Sequence, residues 1–202
     1  MPKVAGASHC DGAQTSKAVN DPINTLVVVL ALAALCASAI LGELGQGFRY
    51  AQVRLSPARL THCMRWLGLA QRSLDIAKSY IVERRNFGQT LAEHEGVQWL
   101  LGDAAMQIEI GRLLTMRAAW RLDQGDFARA DVSMAKIQVS ETLQKVVDTA
   151  LQLLGARGYS KDTPVAWIYR YARQARIVDG SSEVHKMVLA REYLGKIGRA
   201  HV

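Results

Sequence analysis

The stretch Ser56–Arg84, SPARLTHCMRWLGLAQRSLDIAKSYIVER, decides the fold class of this chain. Its apolar residues recur at steps of three and four, at Leu60, Met64, Leu67, Ala70, Leu74, Ala77 and Ile81. That spacing places them on one face of an α-helix about eight turns long. Pro57 suits the first turn, where the missing N–H of proline has no partner to lose. We therefore predict an amphipathic helix over residues 56–84.

Similar patterns predict two further long helices, over residues 91–123 and 127–154. The predicted core face of the first carries Val97, Leu100, Leu101, Ala104, Ile108, Leu113, Met116 and Trp120. The core face of the second carries Val139, Leu143, Val146 and Ala150. Breaks are expected near Phe87, Gly125 and Gly155, and shorter helices over residues 161–173 and 181–197. Long helices with short connections are typical of an antiparallel bundle. The predicted fold is therefore all-α, an up-down four-helix-type bundle over residues 57–197 with a tail at 198–202.

The N-terminal part differs from the predicted bundle. Residues 1–22 are small and polar and predict a flexible arm. Residues 23–41 contain the uncharged run LVVVLALAALCASAIL, which predicts an extra apolar helix. The run is slightly shorter than the roughly 20 residues of a membrane-spanning helix, and Ala37-Ser38-Ala39 resembles a signal-peptide cleavage site. Membrane anchor, signal peptide, buried helix and translated sequence foreign to the rest of the fold stay open as alternatives. Residues 42–56 are interpreted as a glycine-punctuated linker.

Composition excludes several functional classes. Half of the 202 residues are hydrophobic, which is enough for a sizeable core. The net charge is +7, but the sequence has no block of consecutive basic residues of the kind that binds nucleic acid. Scattered arginines suit a phosphate-rich small molecule. Cys10, Cys36 and Cys63 form no C-x-x-C pair, so neither a zinc site nor a disulfide framework is expected. No histidine or glutamate spacing indicates a metal, and a reducing compartment is predicted.

Three motifs stand at predicted helix ends: Arg84-Arg-Asn-Phe-Gly88, Gln152-Leu-Leu-Gly-Ala-Arg-Gly158 and Val178-Asp-Gly-Ser-Ser-Glu-Val-His185. Together they resemble the C-terminal helical domain of the acyl-CoA dehydrogenase family, over roughly residues 42–196. The first two match the family patterns Arg-x-x-Phe-Gly and Gln-x-x-Gly-x-x-Gly. The third stands where many members have Glu-Gly-Thr-x-Gln. Its Asp-Gly-x-x-Glu-Val-His form resembles the branch of large multidomain vertebrate members that act on long or 4-hydroxy acyl chains.

The resemblance implies FAD-dependent α,β-dehydrogenation of acyl-CoA thioesters, as in fatty-acid β-oxidation. It implies that Asp179 is the base that removes the α-proton, although Asp is one methylene shorter than the Glu of many members. A helix-capping role is the alternative for Asp179. Arg59 is implied on the side of the acyl-CoA substrate, and His185 is interpreted as structural. The implied FAD contacts are Arg84, Asn86, Phe87, Gln152, Gly155, Ser181 and Glu183.

The resemblance also implies a homo-oligomer, a dimer or tetramer, in which the helix ends at Arg84 and Gln152 reach the FAD of a neighbouring subunit. A mitochondrial or peroxisomal location is implied as well. The chain begins too late to hold the N-terminal helical and middle β-domains of a complete member, so we expect a truncated form with no measurable turnover alone. The alternatives are a non-catalytic bundle that assembles with full-length members, and a helical module anchored in a membrane through residues 23–41.

Overall fold

The computed structural model of the protein describes residues 42–195. The predicted arm, apolar helix and C-terminal tail lie outside the described residues. Of the described residues, 42–50 belong to one compact unit and 51–195 to another. In the first unit, the backbone N–H of Glu43 donates to the Tyr50 hydroxyl at 3.2 Å.

The predicted all-α fold is confirmed. The helices are α1 (Gly47–Glu83), α2 (Glu95–Asp123), α3 (Arg129–Leu154), α4 (Ala156–Tyr159), α5 (Val165–Ala172) and α6 (Ser182–Tyr193). Short 3-10 turns span Leu91–Glu93 and Arg173–Arg176. Two-residue strands β1 (Arg85–Asn86) and β2 (Gln89–Thr90) form an antiparallel hairpin between α1 and α2. Of the helices within residues 42–195, none is long and apolar enough to cross a membrane.

Helix α3 is the centre of the bundle, because α2, α5 and α6 all pack against it. The four core residues predicted on α3, from Val139 to Ala150, are all buried. At Gly111 of α2, an added Cβ would lie 3.0 Å from Leu67 Cδ2 of α1 and 3.1 Å from Val139 Cγ2 of α3. The missing side chain of Gly111 therefore lets three helices meet.

Helix α1 begins nine residues before its predicted start at Ser56, so most of the predicted linker at 42–56 is helical. Pro57 lies inside the helix and not in its first turn. A proline removes one backbone hydrogen bond of a helix, and here the helix continues on both sides of it. The predicted core residue Met64 is 65% exposed, whereas Cys63 and Trp66 are fully buried.

The predicted core face of α2 is wrong over its second half. Leu113, Met116 and Trp120 are 59%, 64% and 62% exposed. The buried residues of α2 are instead Ala104, Ile108, Gly111, Thr115 and Ala118. Mostly small residues line this face because α1 and α3 approach closely there. Large apolar side chains at seven-residue spacing remain outside, and we define Trp99, Met106, Leu113 and Trp120 as the α2 stripe.

Other helix ends differ from prediction by a few residues. Helix α2 starts at Glu95 and not at Leu91, because a capping box between Thr90 and Glu93 closes a separate 3-10 turn. Helix α3 starts at Arg129 and not at Phe127. The segments predicted at 161–173 and 181–197 are the shorter helices α5 and α6. The predicted breaks near Phe87, Gly125 and Gly155 are confirmed, each at a residue with positive φ.

Candidate functional site

Asp179 lies in a tight turn that leads into α6. Its φ is +54°, and that of Gly180 is +101°, a backbone region that L-residues seldom occupy. Arg59 Nε and His185 Nε2 donate to the carbonyl oxygen of Asp179, at 3.0 and 3.2 Å. Lys136 Nζ donates to the carbonyl oxygen of Gly180 at 2.5 Å. Strained residues that are held by their surroundings cluster at functional sites, so we take this turn as the centre of the candidate site.

His185 supports the turn from inside the bundle. It is 3% exposed, and its Nδ1 lies 3.1 Å from Ser133 Oγ. A carbonyl oxygen can only accept, so the bond to Asp179 assigns the proton to Nε2 and makes Nδ1 the acceptor from Ser133. Burial lowers the pKa of His185 below its ordinary value, which favours this neutral form. These contacts are those of a structural histidine.

Lys136 is a fully buried lysine on α3. Its ammonium lies 5.9 Å from the centroid of the Trp66 ring, a favourable cation–π distance. Burial lowers the pKa of Lys136, and burial raises the pKa of the neighbouring Cys63 thiol to about 12. The thiol is therefore protonated and unreactive at neutral pH. Lys136 was not predicted from the sequence, although it stands three residues before Val139 on the apolar face of α3.

The carboxylate of Asp179 faces α1. Its Oδ2 lies 2.9 Å from His62 Nε2, outside the angular range of a hydrogen bond. Both side chains are about one quarter exposed. The carboxylate is therefore within reach of a ligand while its backbone is fixed. His62 was not predicted from the sequence either. Its position three residues after Arg59, on the same side of a helix, was the available signal.

Ser181 and Glu183 have capping roles at the start of α6. Ser181 is the N-cap, and its Oγ accepts a hydrogen bond from the Val184 N–H at 3.4 Å. Hydrogen bonds from its own backbone N–H and from the Ser181 hydroxyl lower the pKa of the exposed Glu183. A negative charge is also favoured at a helix N-terminus. Their predicted cofactor contacts stay predictions beside this local role.

A second group of predicted site residues lies around the β1–β2 hairpin. The two turn residues, Phe87 and Gly88, have φ of +47° and +84°, as a type I′ turn requires. Phe87 is 94% exposed, so a bulky side chain occupies a strained backbone position without packing in the described part of the chain. Arg84 is exposed beside it. Asn86 is engaged locally, since its Oδ1 accepts from His94 Nε2 at 2.8 Å.

Gln152 and Gly155 lie at the C-terminal end of α3, on the surface. Gly155 has a φ of +59° and ends the helix. The Arg157 guanidinium lies 5.7 Å from the centroid of the Tyr80 ring, which brings this end of α3 beside the end of α1. Gln152 and Gly155 therefore lie at the same end of the bundle as the hairpin.

The predicted site residues thus form two groups that are widely separated along α1. Arg59 and the Asp179 turn lie beside the first half of the helix, and Arg84 directly follows its last residue. Arg59 and Arg84 are 25 residues apart, which corresponds to about 37 Å at the rise of an α-helix. The two groups therefore form separate surfaces of the chain.

Comparison with known proteins defines the class. Residues 45–194 match the family model "Acyl-CoA dehydrogenase, C-terminal domain", so this chain belongs to the acyl-CoA dehydrogenase family. It is 42% identical over 162 residues to "Probable acyl-CoA dehydrogenase FadE2" of Mycobacterium tuberculosis, covering 79% of this chain and 40% of that protein. It is 40% identical over 157 residues to "Acyl-CoA dehydrogenase family member 11" of Gallus gallus, covering 77% of this chain and 20% of that protein.

A solved structure agrees with these relatives. The glutaryl-coenzyme A dehydrogenase in its glutaryl-CoA complex superimposes with a TM-score of 0.74 at 38% identity, covering 77% of this chain and 40% of that one. The chain spans 20–40% of the length of these three proteins. The family resemblance is confirmed, and the roles of individual residues stay predictions.

Proposed function

We propose that this chain forms the helical layer of the active site in an FAD-dependent acyl-CoA dehydrogenase, with Asp179 as the catalytic base. The observation that carries the proposal is the turn at Asp179. Donors from α1 and α6 converge on its carbonyl oxygen, so the backbone that carries the partly exposed carboxylate is held in place. A base must come within hydrogen-bond reach of the proton that it removes, and a backbone held in place keeps the carboxylate within that distance.

In the proposed reaction, Asp179 takes a proton from the α-carbon of an acyl-CoA thioester. FAD, when bound, supplies the acceptor for the hydride from the β-carbon. Arg59 uses its Nε to hold the Asp179 turn, and its guanidinium has four further N–H donors for the substrate. Burial lowers the pKa of Arg59, and the nearby Asp179 carboxylate partly opposes this effect. Arginine remains cationic at neutral pH, so it can meet an anionic or carbonyl group of the thioester.

The surface residues at the other end of the bundle fit FAD in their chemistry. The exposed Arg84 guanidinium suits a pyrophosphate, the exposed Phe87 ring suits a planar aromatic system, and Gln152 offers an amide. Because this group lies about 37 Å from Arg59 along α1, it serves a different FAD from the one near Asp179. A homo-oligomer, a dimer or tetramer, meets that requirement. At the Asp179 end, the Glu183 carboxylate suits ribose hydroxyls better than phosphate, which it would repel.

The α2 stripe favours a second candidate function, assembly without turnover. Its members Trp99, Met106, Leu113 and Trp120 are 52–66% exposed. Apolar side chains at seven-residue spacing on a helix pack against a partner helix, and a contiguous exposed apolar strip marks an interaction surface. A non-catalytic bundle that joins other family members would use the same stripe as an active oligomer.

Flavin spectroscopy with FAD and an acyl-CoA tests the proposal in a form of this chain joined to the N-terminal helical and middle β-domains of a relative, because no measurable turnover is expected of the chain alone. A dehydrogenase retains flavin absorbance, which the acyl-CoA bleaches under anaerobic conditions. Asp179→Asn should retain the flavin and slow its bleaching by about 10²–10⁴-fold, the usual contribution of a general base. Arg84→Ala should instead weaken flavin retention and leave the rate per bound flavin unchanged.

Two outcomes of these measurements would count against the proposed function. If Asp179→Asn bleaches its flavin at the parent rate, the base is elsewhere and Asp179 only shapes the turn. Colourless protein that co-purifies with a flavoenzyme supports the assembly function.

Location and membrane association follow from the sequence and are part of the proposal. We propose a mitochondrial or peroxisomal location on the family resemblance. Residues 23–41 lie outside the described residues, and detergent-dependent extraction of the chain would support a membrane anchor there. Extraction in buffer alone would argue against it.

A further inference from the structure

His62 holds a specific place beside the candidate base. Its ring stacks on Trp66, with centroids 5.4 Å apart and planes at 20°. Trp66 is itself fully buried, with the Lys136 ammonium 5.9 Å from its ring. The imidazole therefore stacks on a buried ring of the bundle core.

The contacts of the two ring nitrogens define the protonation of His62. Its Nδ1 is hydrogen-bonded to Nη2 of Arg65. A guanidinium has donors only, so Nδ1 must be the acceptor and carries no proton. The ring proton is then on Nε2, the atom that lies 2.9 Å from Asp179 Oδ2. Arg65 thereby directs an N–H group toward the carboxylate.

We propose that His62 is a positioning residue for Asp179: its Nε2–H engages Oδ2 and leaves Oδ1 as the oxygen that takes a proton from substrate. This role rests on the proposed function of Asp179 as a base. The contact is out of line in the present structure, as hydrogen bonds of catalytic groups often are before a ligand binds. The pairing with His62 compensates for the shorter side chain of Asp. A carboxylate that is fixed both at its backbone and at one oxygen samples few rotamers that point away from the substrate.

A double-mutant cycle on the full 202-residue chain tests the pairing without any need for turnover. His62→Phe keeps a ring on Trp66 and removes the donor, and Asp179→Asn removes the carboxylate. The unfolding equilibrium constants in urea should be non-additive by about 2-fold or more, the coupling expected of two polar side chains in contact. His94→Phe with Asp179→Asn is the matched control and should be additive, since His94 contacts the hairpin residue Asn86.

Rescue separates positioning from simple packing. His62→Gln places an amide donor near the position of Nε2 but loses the stacked ring, so it should restore most of the coupling to Asp179 that His62→Phe removes. It also serves as the second variant if His62→Phe does not fold. An additive cycle, or a Gln variant without coupling, overturns the proposal. Absence of flavin reduction in the form joined to the two further domains would count against the proposed function alone, because the cycle measures the contact and not catalysis.

Discussion

Gly180→Ala is the sharpest test of the Asp179 turn. Gly180 has a φ of +101°, and an added Cβ would lie 3.0 Å from His185 Nε2. Two separate effects are therefore expected from one methyl group. The backbone becomes strained, and the imidazole must move away from the carbonyl oxygen that it holds at 3.2 Å.

The size of each effect follows from the structure. Holding an L-residue in a left-handed conformation costs about 1–2 kcal/mol. Loss of the His185 bond to Asp179 adds about 0.5–1.5 kcal/mol, the net worth of an ordinary hydrogen bond. The free energy of unfolding should therefore fall by about 1.5–3.5 kcal/mol.

Gly125→Ala is the matched control. Gly125 has a φ of +83°, and nothing lies within 4 Å of its added Cβ, so only the strain of about 1–2 kcal/mol is expected. Urea unfolding followed by circular dichroism gives both losses, with the denaturant slope unchanged if the unfolded states are alike. In a His185→Ala background the excess loss of Gly180→Ala should disappear. Equal losses at the two glycines, or an excess that survives His185→Ala, would refute the role assigned to His185.

Three further outcomes follow from burial and exposure. Burial lowers the pKa of His185 below its ordinary 6.5, so the unfolded chain binds that proton more readily and stability is lost as pH falls below about 6.5. Urea titrations from pH 8 to pH 5 should show this loss of stability. His185→Gln should make the free energy of unfolding depend less on pH over the same range. Lys136→Met should destabilise the protein by about 1–2 kcal/mol. The reason is that the lost hydrogen bond from a charged donor, worth about 1.5–3 kcal/mol, exceeds the desolvation cost of the buried ammonium that the substitution removes. Lys145→Met, on the exposed side of α3, should leave stability unchanged, and equal effects of the two substitutions would contradict this reasoning. Leu113→Asp should lower the mass of the assembly in sedimentation, whereas Leu194→Asp, at a similar exposure of 60%, should not. An unchanged mass for Leu113→Asp would remove the α2 stripe from the interface.

The fold was predictable where large apolar side chains mark the buried face. Helix α3 follows its predicted pattern, and it ends at Leu154 before Gly155 as expected. Helix α2 does not, because its core face consists mostly of residues such as Gly111 and Ala118 that permit close packing. Apolar periodicity gives weight to large side chains, so it selected the face that carries Leu113 and Trp120.

The candidate site was predictable in its local part only. The motif around Asp179 indicated a turn before a helix, and the structure has one there. The contacts that hold this turn join residues far apart in the chain, with Arg59 120 positions and Lys136 44 positions from their acceptors. Such contacts depend on how helices pack, and no local pattern contains them. The positions of His62 and Lys136 on their helix faces were visible in the sequence, but the long-range contacts that give them their roles were not.

The left-handed turn also gives a physical reason for Asp in place of Glu at position 179. Asp is several-fold enriched among non-glycine residues with positive φ, because its short polar side chain can hydrogen-bond locally. Glu lacks that advantage, so the same φ of +54° would be less favourable for it. The shorter side chain reaches less far, and a base with less reach depends more on where its backbone is held. Three donors, from α1, α3 and α6, fix the carbonyl groups of this turn. The conformation, the residue type and the surrounding donors are therefore mutually consistent, and a change in any one of them should alter the position of the carboxylate.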